Sequence, residues 1–210
     1  TLTTEINVPD YFFNRIIGEV TYRNIIMKNI VNGIDMTEFQ QFAEGVSQDP
    51  SISKARFNVE TRWAGQTRSV STIKSYELRG KNYERNFHIA ADEPTEILGT
   101  NTAPNPQELL MAALNACMTV GYVAIAATKG VTINSLKIDT KGELDLRGFL
   151  GLDEAVNPGY DEVQYSVYID SDGTDAQLEE IHNAVLQTSP NYANFSRAIR
   201  MVPKLVIAEK

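Results

Sequence analysis

Cysteine occurs once in this chain of 210 residues, as Cys117. An internal disulfide is impossible, which excludes a secreted fold held by disulfides. Histidine is almost as scarce, with His88 and His182 on different predicted elements. Two imidazoles and one thiol are too few soft ligands for a zinc site, and no spaced carboxylate cluster suggests another metal centre, so neither a metal nor a cofactor is expected. The phosphate-binding patterns GxGxxG and GxxxxGK[ST] are missing, and Gly148-Phe149-Leu150-Gly151 has too few polar neighbours to replace them. Basic residues are outnumbered, 19 Lys and Arg against 27 Asp and Glu. A nucleic-acid partner is therefore not expected, because phosphate binding wants a basic face. No basic segment followed by an apolar run opens the chain, so no secretory leader is expected and the cytoplasm is the expected location. Internal repeats and low-complexity stretches are lacking too.

What is present suits one ordinary domain with an arm, or at most two small domains: 42% of residues are hydrophobic and 22% charged. A chain of this length can bury a real core. The dominant stretch is Leu109 to Thr128, which carries no charge and holds Cys117. Its flanks are helix punctuation: Asn105 as N-cap, Pro106 at the first helical position, Glu108 near the positive end, Lys129 near the negative end, Gly130 as the stop. A helix apolar on every side is expected to be buried all round. It is long enough to cross a bilayer. Asn115 and Thr119 near its centre, its many alanines and the lack of a second span favour a core helix instead, and no membrane is expected. Ala112, Ala113, Ala116, Gly121, Ala124 and Ala127 would let a partner helix approach closely.

The flanking segments divide the chain into an arm, residues 1–53, and a domain, residues 54–210. In the arm, Asp35-Met36-Thr37-Glu38 reads as a capping box, with Met36, Phe39, Ala43 and Val46 at helical spacing and Asp49-Pro50 as the end. Tyr11-Phe12-Phe13 and Ile25-Ile26-Met27 are apolar enough to need a partner surface. From Lys54 to Trp63 the pattern alternates, which predicts one half-buried strand. Ala64-Gly65-Gln66 turns into a strand over Thr67 to Leu78, and Arg79-Gly80-Lys81-Asn82 into another over Tyr83 to Ala90. These make an antiparallel meander. After the central helix, alternation from Leu136 to Leu146 predicts a strand, followed by an apolar glycine-containing loop and a strand over Val163 to Ile169. Thr174-Asp175-Ala176-Gln177 opens a second helix, which Ser189-Pro190 ends. Met201 to Ile207 predicts a last strand, at an edge because of Pro203. Hairpins with segregated helices mean an α+β fold.

Cys117 is the main candidate for chemistry. A free cysteine is most often a small buried hydrophobe, and one in mid-helix lacks the N-terminal field that activates thiols. A reactive Cys117 would need a cation from elsewhere, chiefly Arg62 or Arg68. His88 reads as structural or surface, and His182, near Glu179, as solvated or partly paired. Glu60, Asp92 and Glu93 could be acid–base groups, but nothing pairs them in sequence. Trp63, Phe87, Phe149, Tyr160 and Tyr192 read as core, and some could wall an apolar pocket over Cys117.

Several motifs together resemble the OsmC/Ohr family, in its longer branch. They are Asp92-Glu93-Pro94, Leu98-Gly99, Pro104 to Leu110, Ala112-Ala113-Leu114, Cys117, Gly142 to Leu152, Asn157-Pro158-Gly159-Tyr160 and Ser189-Pro190. The resemblance runs from about Asn32 to the C-terminus. It implies antiparallel sheets around a long buried central helix, in an intertwined homodimer. It also implies thiol-based reduction of organic hydroperoxides, with a peroxidatic cysteine on the central helix, an arginine that stabilises the thiolate and a glutamate that orients the arginine. By that pattern Cys117 takes the peroxidatic place, Arg68 best matches the arginine, and the glutamate position falls on Gln107. Helix geometry agrees on the last point: Gln107 lies about 80° from Cys117 around the axis, and Glu108 about 180°. The family's resolving cysteine is replaced by Ser189, so a sulfenic acid would need an external thiol or pairing between chains. The alternative reading is a non-enzymatic dimer that binds a small apolar or thiol-reactive ligand at its interface.

Overall fold

The structure is a computed structural model that describes residues 29–207. Tyr11-Phe12-Phe13 and Ile25-Ile26-Met27 lie outside those residues. Two short strands open the fold, β1 (Ile30–Val31) and β2 (Ile34–Asp35). Asn32 and Gly33 turn between them with φ of +52° and +79°, a type I′ hairpin. The Asn32 side chain clips this hairpin to the rest of the chain: its amide donates to the Val131 carbonyl at 2.9 Å and its oxygen accepts from the Ile133 N–H at 2.8 Å. Asp35 caps α1 (Met36–Gln48), accepting from Thr37 and Glu38, and Asp49 ends it ahead of a 3₁₀ turn over Pro50–Ser53.

A meander follows, of β3 (Ala55–Phe57), β4 (Glu60–Trp63), β5 (Ser69–Leu78) and β6 (Lys81–Ala91). β5 is central, with β6 on one side and both β3 and β4 on the other. The expected strand over Lys54 to Trp63 is thus split: Phe57 pairs with Tyr76, Glu60 with Thr72, and Asn58-Val59 is a break in the ladder. It is not half-buried either. Every residue of β3 and β4 is exposed, Trp63 at 78%, because no described element covers either face. Arg79 and Gly80 make the tight turn into β6, both at positive φ.

A loop with a 3₁₀ turn over Thr95–Ile97 leads to the central helix, α2 (Pro106–Thr128). Gly99 shows why this loop tolerates no side chain there: a Cβ would lie 1.7 Å from the Glu93 carbonyl oxygen. After α2 come β7 (Ile133–Gly142), α3 (Leu146–Phe149), β8 (Val163–Ser171), α4 (Asp175–Thr188) and α5 (Pro190–Ser196). β7 and β8 pair antiparallel. β7 stops at Gly142, short of the expected Leu146, because Asp145 caps α3 by accepting from the Arg147 N–H. Ser189-Pro190 ends α4 as expected but also starts α5, with Ser189 as N-cap. Met201 to Ile207 forms no strand; the segment has no regular structure and its apolar side chains are exposed. A strand needs a neighbour to bond to, and this segment has none among the described residues.

The core lies between α2, α4, β7 and β8. Leu114, Met118, Tyr122 and Ala126 form one i, i+4 stripe of α2 and meet Ile181 and Val185 of α4 and Val131. Gly121 lets α4 come close, since a Cβ there would be 3.3 Å from Val185 Cγ1. The expectation that α2 is buried all round needs correction for the single chain. Ala112, Ala116 and Val120 on its other side are exposed, so the apolar surface is covered along one face only. Although α2 is long and apolar enough to cross a membrane, it is the core helix of this packed unit. Antiparallel sheets with a long helix and segregated shorter ones make the fold α+β.

Candidate active site

The start of α2 is fixed by reciprocal bonds. Asn105 Oδ1 accepts from the Gln107 N–H at 2.7 Å, and the Asn105 N–H donates to Glu108 at 2.8 Å. The Asn105 amide also donates to the Glu93 carboxylate. Asp92, the next residue back, is fully buried. It accepts from the hydroxyls of Thr67, Thr100 and Thr102 and from the N–H groups of Glu93, Thr100 and Thr102. Burial pushes its pKa up, but the bonds from Thr100, Thr67 and Thr102 outweigh that and hold the carboxyl far below its ordinary value. Asp92 is therefore a satisfied structural anion that ties the turn before β5 to the loop before α2, not an acid–base group. Glu60 is held on the surface between Lys74 and Arg62.

Cys117 lies three turns into α2, half-buried. Its Sγ is 3.4 Å from Ser189 Oγ. Ser189 is 4% exposed and joins the end of α4 to the start of α5. One turn back along α2, the Ala113 carbonyl accepts from the Asn191 amide at 2.8 Å. Between α2, β8 and α5 opens a groove of about 670 Å³, walled by Leu110, Ala113, Tyr165, Tyr192, Phe195 and Ile199. Its walls are mainly apolar, so it suits a small apolar molecule.

Among the described residues no hydrogen bond joins the three predicted site residues, Cys117, Arg68 and Gln107; Cys117 meets instead the serine at the family's resolving position. Cys117 and Ser189, 72 positions apart, are in contact. Arg68 sits in the turn before β5, exposed, its N–H bonded to the Gly65 carbonyl at 2.9 Å and its guanidinium over Gly65. Among the described residues it forms no ion pair, whereas Arg62 is bound to Glu60 at 2.6 Å. Gln107 is half-buried at the second position of α2, and its side-chain amide bonds to no described residue. Within one chain no hydrogen bond links Arg68, Gln107 and Cys117 among the described residues. Among those residues no group of His, Cys, Asp or Glu is arranged to hold a metal ion.

One contact had no signal in the sequence. The Tyr122 hydroxyl, on the buried face of α2, bonds to His182 Nδ1 of α4. Burial, with Tyr165 nearby, pushes the Tyr122 pKa up to about 12. His182 is thus paired across the core rather than with Glu179. His88 stands exposed on β6 opposite Thr72.

A lone cysteine thus sits on a capped central helix inside an α+β unit of three antiparallel sheets. A family model described as "OsmC-like protein" matches residues 99–204, half of the sequence. The chain belongs to the OsmC-like family. Solved structures share its fold. The OsmC-like protein of Mycoplasma pneumoniae superposes with a TM-score of 0.51 at 17% identity, covering 67% of this chain and 87% of its own. A protein of Psychrobacter arcticus 273-4, named for osmotic stress induction and the detoxification response, gives 0.50 at 18%, covering 64% and 85%. The organic hydroperoxide resistance protein OsmC of Legionella pneumophila superposes more loosely, at 0.41 and 13% identity over 67% of this chain and 90% of its own. No curated protein matches the chain by sequence.

Proposed function

We propose that the protein is a cytoplasmic homodimer that reduces organic hydroperoxides through Cys117 and is recycled by an external thiol. The observation that carries this reading is the contact between Cys117 and Ser189. In the family pattern those two positions hold the peroxidatic and resolving cysteines, and here they touch across α2 and α4. The apolar groove that begins one turn of α2 before Cys117, at Ala113, supports an organic rather than an ionic substrate, although Cys117 does not line it.

The Cys117 thiolate attacks the terminal peroxide oxygen. The S–O bond forms as the O–O bond breaks, and the alkoxide takes a proton and leaves as an alcohol. Cys117 is then a sulfenic acid. One external thiol attacks its sulfur and expels water, and a second releases Cys117 and departs as an external disulfide. Arg68 would stabilise the thiolate and the breaking O–O bond, and Gln107 would orient it through its amide oxygen. Neither hydrogen bonds Cys117 among the described residues. The exposed apolar side chains of the meander and of α2, Trp63, Phe87 and Val120 among them, favour a second copy that covers both surfaces and completes the site.

Intact-protein mass after a small excess of cumene hydroperoxide, with a sulfenic-acid trap, tests this. An adduct is expected on the wild type and none on Cys117→Ser. No adduct in the native protein, with ready alkylation after unfolding, would sink the peroxidase reading. The second reading, a dimer that binds an apolar ligand beside an unreactive Cys117, draws on the same groove. It would be favoured by a co-purified small molecule that survives Cys117→Ser.

A further inference from the structure

We propose that Ser189 is a positioning residue for Cys117: its buried hydroxyl donates its proton to the sulfur, favouring the thiolate before oxidation and holding the oxidised sulfur for an outside thiol. The inference rests on the thiol-peroxidase reading above. It begins with the hydroxyl's own bonds. Ser189 Oγ accepts the Tyr192 N–H at 3.3 Å, as N-cap of α5. That uses a lone pair and leaves the hydroxyl proton to be placed. At 4% exposure water is not at hand. Among the described residues the one remaining partner of Oγ is Cys117 Sγ at 3.4 Å. A buried hydroxyl that leaves its proton unbonded is costly, so the proton points at the sulfur.

The geometry is fixed in advance. The Ser189 N–H donates to the Val185 carbonyl at 2.9 Å, closing α4, while its side chain opens α5 with Pro190 at the first position. Val185 packs in the core against α2. A donor held by two helix ends need not reorganise when charge appears on the sulfur. Titratable side chains packed into this core are few: Tyr165 and Tyr192, in edge contact, and His182, bonded to Tyr122. None of them hydrogen bonds Cys117, so Ser189 is the polar group in contact with the sulfur within the described chain.

The same placement governs the second half of the cycle. A thiol at position 189 could attack the Cys117 sulfenic acid, forming an S–S bond and expelling water. A hydroxyl cannot. Oxidised Cys117 therefore persists until two external thiols reduce it, one forming the mixed disulfide and the other breaking it.

The rate of Cys117 alkylation by iodoacetamide, measured from pH 5 to 10 on the full chain, tests the first half. Ser189→Ala is expected to react about tenfold more slowly near neutral pH, the worth of one bond to a charged group, with the gap closing at alkaline pH. Ser189→Thr, which keeps the hydroxyl, is expected to restore the wild-type profile. A mere loss of helix capping would not produce a pH-dependent gap. For the second half, Ser189→Cys treated with one equivalent of cumene hydroperoxide should lose both thiols as an internal disulfide. Wild-type and Ser189→Ala profiles that coincide at every pH, while Cys117 stays reactive, would overturn the role of Ser189 and leave the peroxidase reading standing. A native wild type inert to both reagents would instead remove the peroxidase reading itself.

Discussion

The two halves of this chain are built from the same kinds of residue and end in opposite states. Around α2, the side chains Leu114, Met118, Tyr122, Ile181 and Val185 are buried against one another. Along the meander, Phe57, Trp63, Phe87 and Ile89 are as apolar and lie open. The first half closes its core within one chain, because two helices and a two-stranded sheet meet on one stripe of α2. The second half is a four-stranded sheet with no layer over it among the described residues, and apolar area left in water forgoes about 25 cal/mol per Å² of burial. A sheet that keeps such side chains on its surface is half of a core whose other half is elsewhere. The exposed side of α2 has the same character.

The sharpest test sets one core truncation against one sheet truncation. Ile181→Ala should cost about 2–5 kcal/mol, as buried aliphatic residues do, equally at all protein concentrations. Phe87→Ala on a bare sheet should stay within about 0.5 kcal/mol. If a second copy covers the sheet, Phe87→Ala should instead lower the melting temperature in a concentration-dependent way and shift sedimentation toward the monomer. Denaturant melts at several concentrations decide. Identical behaviour of the two variants at every concentration would break the comparison.

The same contrast explains what could be read in advance. α2 was legible because its signals are local: Asn105, Pro106 and Glu108 do at its start what those residue types do at helix starts generally. The Asn32-Gly33 pair that turns β1 into β2 is an equally local signal. Ser189-Pro190 ends one helix, and a serine followed by proline is as good a start of the next, so α5 begins there. The alternation beyond Gly142 looked like more strand because Leu144 and Leu146 keep the period, while Asp145 between them caps a helix. Burial of the meander, the last strand and the full burial of α2 failed together. Each depends on a neighbour that the described residues do not supply. In the candidate site, Cys117 and Ser189 were paired by family pattern and are in contact, whereas Tyr122 and His182, 60 positions apart, left no trace in sequence.

Asp92 sits at the junction of the two halves, so it tests whether they are mechanically linked. Its bonds reach Thr67 before β5 and Thr100 and Thr102 before α2. The folded carboxyl titrates far below its ordinary value of 3.8. Its contribution is therefore complete above that ordinary value and is lost as pH falls below it toward the folded one. Unfolding takes up one additional proton in that window. Asp92→Asn should flatten the fall in stability between about pH 4 and pH 2 and lower stability at pH 7, since an amide NH₂ would face donors. An unchanged acid limb would mean that other carboxylates dominate. Loosening confined to the loop, seen by hydrogen exchange at residues 92–104, would mean that the halves are joined there and nowhere else.

The smallest effect expected is at Asn105, and it separates capping from the link to Glu93. Asn105→Ala removes the cap of α2 and the bond to the Glu93 carboxylate, whereas Asn105→Ser keeps a capping oxygen and loses the amide donor. Capping alone is worth about 1 kcal/mol. If the cap is the main contribution, Ser should recover most of what Ala loses in a denaturant melt. If the Glu93 bond matters as much, Ser should recover about half, because Glu93 then keeps a carboxylate with nothing to receive. The outcome bears on the wider contrast. Glu93 also supplies the carbonyl against which Gly99 is pressed. A strong effect in Asn105→Ser would make the start of α2 depend on the loop that carries the chain over from the meander. The closed half would then borrow part of its order from the open one.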